Sequence, residues 1–80
     1  MTNPATKVIE ICGGVDAVVR ATGRHRSNVL RWRYGRDKGG TGGLVPSEMQ
    51  IVLLRFAKSE GIDLRPEHFF PDELVGEDAA

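Results

Sequence analysis

The chain has 80 residues, 11 Lys and Arg against 11 Asp and Glu, a formal net charge of zero, and a single cysteine, Cys12. That length holds one domain with a net stability of roughly 4–8 kcal/mol and leaves no room for a large enclosed active site of the barrel or doubly wound kind. One cysteine excludes an intramolecular disulfide and a cysteine-cluster metal site. The longest apolar run, Ile51 to Leu54, is far too short to span a membrane.

In chain order, residues 3–12 form the first expected helix. Asn3 is suited to cap it, Pro4 to open it, Val8, Ile9, Ile11 and Cys12 to supply an apolar side, and Gly13–Gly14 to end it. Residues 15–22 follow as a second helix with Val15, Val18, Val19 and Thr22 on one stripe, stopped by Gly23. Its three valines lower intrinsic helix propensity, so packing must hold it. A third helix is expected over 26–34, with Val29 and Trp32 inward and Arg26, Ser27, Leu30, Arg31 and Tyr34 on the other side.

Residues 35–44, GRDKGGTGGL, contain five glycines and read as a flexible loop. Residues 47–60 give the clearest helix, with Ser47 and Gln50 matching a capping box and Gly61 after the last turn. Met49, Val52, Leu53 and Phe56 make one stripe. Ile51 and Leu54 widen it, so burial on more than one side is expected. Residues 62–71 read as extended, with one helical turn begun at Pro66, and residues 72–80 as an acidic, disordered tail. No alternating pattern is long enough for a strand, so the expected class is all-α, as one domain over 1–71.

The zero net charge hides a split. Residues 20–38 hold seven cations (Arg20, Arg24, Arg26, Arg31, Arg33, Arg36 and Lys38) against Asp37 alone, a net +6. Residues 60–80 hold seven carboxylates against Arg65, a net −6. Six of the seven cations are arginines, whose planar fork suits phosphate and guanine. Two short helices around Gly23, with no room for a long connection, form a helix-turn-helix unit that buries the inner stripe of the third helix and presents its outer side. A presented helix fits the major groove of B-DNA, about 12 Å wide.

The segment VDAVVRATGRHRSNVLRW resembles the helix-turn-helix of phage Cro and repressor-like proteins. The following VPSEMQIVLLRFAKSEGIDLRPEHFF is similar to the helix and short aromatic tail of small Cro-like and YdaS-like regulators. Together the resemblance covers about residues 5–71. It implies a compact, four- to five-helix, lambda-repressor-like domain over 1–71, its helix-turn-helix at about 15–34, with the Gly-rich loop as an elaboration after the recognition helix. The implied function is a sequence-specific regulator of transcription, a Cro-like repressor that reads double-stranded DNA as a homodimer on a palindromic operator.

Carried over by position, the base contacts fall on His25, Arg26, Ser27, Leu30 and Arg31, and Asn28 adds a further hydrogen-bonding group. Arg26 and Arg31 are the first choices for guanine. Arg24, Arg33, Tyr34, Arg36 and Lys38 flank the groove and are assigned to phosphates. The chain departs from the family pattern at Val19, where Ala is usual, at His25, where a Ser or Thr cap is common, and at Leu30, where a polar residue often reads a base. Leu30 is suited instead to a thymine methyl.

Ile51, Leu54, Leu64, Phe69 and Phe70 either close the core or form a dimer patch. Trp32 and Cys12 are assigned to the core. His25 and His68 lie far apart without ligand partners, so no metal is expected. GRDKGGTGG lacks the GK[ST] ending of a phosphate-binding loop, and the serines Ser27, Ser47 and Ser59 assemble no triad, so neither an enzyme nor a cofactor is expected. Residues 1–15 lack a basic start before an apolar stretch, which sets the cytoplasm as the expected compartment, with association to the nucleoid through DNA. The alternative function is a protein-interaction module, such as an antitoxin or a phage assembly adaptor, working through the acidic C-terminal segment. An RNA-binding module is a third class, although no stacking sheet or GXXG clamp is present.

Overall fold

A computed structural model describes residues 3–71. Four α-helices run in order as α1 (Pro4–Cys12), α2 (Val15–Thr22), α3 (Arg26–Arg31) and α4 (Ser47–Glu60), with 3-10 turns at Arg36–Lys38 and Pro66–Phe69. No strand occurs among the described residues, so the all-α class holds. Among the same residues no helix is long and apolar enough to cross a membrane. The expected acidic tail, residues 72–80, lies outside the described residues.

The first two helices start and stop where local chemistry places them. Asn3 is extended, and its Oδ1 accepts the Thr6 N–H at 2.9 Å, with Pro4 in the first turn. Past Cys12 the chain turns left-handed at Gly13, and the N–H groups of Gly13 and Gly14 reach the carbonyls of Glu10 and Ile9. Ala5, Val8, Ile9 and Cys12 form the buried stripe of α1. Burial pushes the Cys12 thiol above its ordinary pKa and leaves little reactive thiolate. In α2, Ala17 and Val18 are buried, while Val15 and Val19 are half-buried against the same core. Gly23 closes α2 at φ 70°, a left-handed conformation that favours glycine, and donates to the Val19 carbonyl at 2.9 Å.

α2 packs on α1, α3 and α4, and the turn at 66–69 packs on α1 and α4. The shared core holds Val8, Val18, Val29, Trp32, Val45, Met49, Leu53, Leu64 and Phe69 among others. Leu64 and Phe69 are buried within the chain, so two members of the expected dimer patch belong to the core. They close it from below α1 and α4, where their apolar surface is removed from water without a partner.

Three further expectations change. The third helix spans 26–31 rather than 26–34, and the N–H groups of Trp32, Arg33 and Tyr34 bond three residues back, each at 3.1 Å, as a tightened turn. The Ser47–Gln50 capping box does not form. Pro46 is the cap residue, its carbonyl accepts the N–H groups of Met49 and Gln50, and the Gln50 side chain donates back to the Val45 carbonyl at 3.1 Å. Val45 is buried, so the cap is anchored in the core one residue ahead of Ser47, while α4 itself spans the expected 47–60. Finally, α4 buries one side through Met49, Leu53 and Ala57, with Val52, Leu54 and Phe56 half-buried, while Ile51 is 57% exposed.

Candidate functional site

α3 is too short to persist alone, since isolated helices below about 12 residues are marginal in water. Its N-terminus is held by His25, whose Nδ1 accepts the Ser27 N–H at 3.2 Å and lies 2.9 Å from the Ser27 hydroxyl. An imidazole thus serves as the N-cap of α3, its Nδ1 accepting from the backbone of the first turn. Two apolar side chains, Val29 and Trp32, tie this segment into the core.

The C-terminal end is held by the glycine-rich segment, expected to be a flexible loop. The structure docks it. Thr41 and Gly42 donate their N–H groups to the carbonyls of Arg31 and Tyr34, at 3.3 and 2.9 Å, and the Thr41 hydroxyl lies 3.1 Å from the Trp32 carbonyl. Asn3, from the start of α1, donates its amide to the Arg33 carbonyl at 3.1 Å. Each carbonyl from 31 to 34 therefore has a partner outside α3, which is why the helix does not continue. Gly40 sits so close that a Cβ there would overlap the carbonyls of Arg31 and Tyr34.

Successive residues of a helix are turned by roughly 100°. With Val29 and Trp32 inward, Ser27, Leu30 and Arg31 occupy the outward strip. Arg26 falls on one flank and Asn28 on the other. Arg26 is exposed and bonds across to Asp16 in the first turn of α2, through Nη1 and Oδ1. On the far flank, Arg24, Asn28 and Arg31 line a shallow cleft of about 220 Å³ with Trp32, Thr41 and Glu48. The candidate base-reading group is therefore brought onto one short helix, but on two flanks and a crest. His25, Ser27, Asn28 and Arg31 are exposed, and Leu30 is half-buried.

The candidate phosphate-binding residues surround this helix. Arg24, Tyr34, Arg36 and Lys38 are exposed, the last two on the 3-10 turn. Arg33 is half-buried, and its Nε is buried without a hydrogen-bond partner. His68 is occupied elsewhere, with Nδ1 accepting the Arg65 N–H at 3.0 Å. Of the remaining dimer-patch candidates, Ile51 and Phe70 are exposed and Leu54 is half-buried. Phe70 and the exposed Leu44 border a groove of about 540 Å³ beside Ser47 and Gln50 of α4.

Sequence reasoning missed Asp16, Asn3 and Thr41 as parts of this site. Asp16 reads as an ordinary acid in a first helical turn, and its spacing of ten residues from Arg26 carries no known signature. Asn3 reads only as a local cap, because a contact thirty residues away leaves no trace in a local pattern. Comparison of the chain with family models, with curated proteins and with solved structures yields no match.

Proposed function

We propose that this chain is a sequence-specific double-stranded DNA-binding regulator of transcription, a Cro-like repressor, with α2, residues 23–25 and α3 acting as a helix-turn-helix. The observation that supports it is the short, exposed helix α3, its outward strip of Ser27, Leu30 and Arg31 flanked by Arg26 and Asn28. Arg24, Tyr34, Arg36 and Lys38 flank this helix as solvent-exposed side chains. A major groove admits such a helix, its base edges accept from arginine, and its phosphates accept from the flanking cations.

Selection of bound duplexes from a random pool, at about 0.15 M salt, tests the proposal. Enrichment of a defined site supports it, and affinity falls steeply as salt rises because phosphate contacts release counterions. A pool that returns no preferred sequence sinks it. The exposed apolar side chains of Ile51, Phe70 and Leu44 support a second copy as partner, which requires a palindromic site. The second reading, a protein-interaction module, works through the acidic C-terminal segment, net −6 over residues 60–80. Deleting residues 72–80 separates the two: DNA affinity holds or rises under the first, and partner binding falls under the second.

A further inference from the structure

Asp16 precedes the basic block in the sequence, yet the fold brings its carboxylate onto the guanidinium of Arg26. The two side chains are 78% and 57% exposed, and an ion pair so open to water adds little to stability. Its consequence is geometric. Arg26 opens α3, where the positive end of the helix opposes a cation, whereas Asp16 sits in the first turn of α2, where a carboxylate is favoured. The contact sets the orientation of the guanidinium, with Nη1 turned to the first turn of α2.

An arginine presents its donors in a fixed fork. Nη1 of Arg26 is engaged by Asp16, and among the described residues no protein group takes the Nε–Nη2 edge. That edge offers two parallel donors, the pattern accepted by O6 and N7 of guanine. A phosphate approaching the same guanidinium meets the Asp16 carboxylate beside it and is repelled. A base edge brings no net charge, and the exocyclic amine of a cytosine or adenine donates to a carboxylate.

We propose that Asp16 is a positioning and specificity-determining residue. With Arg26 it makes a joint donor–acceptor unit that selects a guanine next to a base bearing an exocyclic amine, and it disfavours attachment of Arg26 to phosphate alone. This rests on the duplex-DNA reading given above.

The test compares the full chain with Asp16→Asn, Asp16→Ala and Asp16→Glu, on the best selected duplex and on a scrambled one, at about 0.15 M salt. The ratio of the two affinities is expected to fall roughly tenfold in Asp16→Asn and Asp16→Ala, the range of one bidentate base contact. Affinity for the scrambled duplex is expected to stay level or rise, since a negative charge has left the interface. Repeating the selection should show preference weakened at that guanine and at the neighbouring amine-bearing base and nowhere else, with Asp16→Glu retaining part of it.

Equal weakening on both duplexes with an unchanged selected sequence overturns the inference and leaves the DNA reading standing, since that is what a merely structural role produces. No preference in the unsubstituted chain overturns both. Circular dichroism melts of the variants exclude unfolding as the cause of either result.

Discussion

α3 and α4 are held by opposite means. α4 runs for fourteen residues and buries Met49, Leu53 and Ala57 at helical spacing, so much of its stability comes from its own face. α3 runs for six and is held from outside, by the His25 cap, by two apolar anchors and by carbonyl partners contributed by Thr41, Gly42 and Asn3. The helix that carries the candidate interface is thus the one with the least stability of its own. Changes in residues that touch no ligand should therefore reach it.

The largest effect is expected at the inner anchor. Trp32→Ala should lose about 3–5 kcal/mol, a large share of the stability of so small a domain, and thermal melts followed by circular dichroism would show it. A melt like that of the unsubstituted chain would mean that α3 does not depend on this contact.

Gly40→Ala comes next, at about 1–3 kcal/mol, because the added methyl overlaps the carbonyls of Arg31 and Tyr34 and pushes the loop off α3. Amide hydrogen exchange should then rise first at Thr41 and Gly42, which donate to those carbonyls. If exchange rises first in α4 instead, the loop is not what holds α3.

His25→Ala should cost about 1 kcal/mol, the usual loss for an N-cap, and His25→Ser should restore it. Chemical denaturation resolves the difference, and failure of Ser to rescue would mean that the imidazole contributes through something other than its cap. The smallest effect belongs to α4: Ile51→Ser should change stability by no more than about 0.5 kcal/mol, since the side chain is exposed. A larger loss that depends on protein concentration would place Ile51 in a contact between copies.

Much of the local architecture is legible in the sequence. Asn3–Pro4 and Gly13–Gly14 bracket α1, Gly23 stops α2 and Gly61 stops α4, because caps and left-handed turns depend on residues within one helical turn. Val29 and Trp32 as the inner side of α3 followed from their spacing. The cluster of exposed arginines was readable too, since long charged side chains seldom leave water.

The failures share a cause of longer reach. The end of α3 at Arg31 depends on hydrogen bonds from Thr41 and Gly42, and α4, although it starts where expected, is capped by Pro46 with Gln50 bonded back to buried Val45 rather than by Ser47. Leu64 and Phe69 are core rather than surface because the 66–69 turn docks on α1 and α4.

The sequence by itself determined an all-helical chain, where α1, α2 and α4 stop and which face of α3 turns inward, since each is decided by a few neighbouring residues. Only the tertiary structure decided that a glycine-rich segment serves as the clamp on α3 and that Asp16 meets Arg26. A hydrogen bond or ion pair between distant segments is set by how the helices pack, and packing is a property of the whole core rather than of any local stretch.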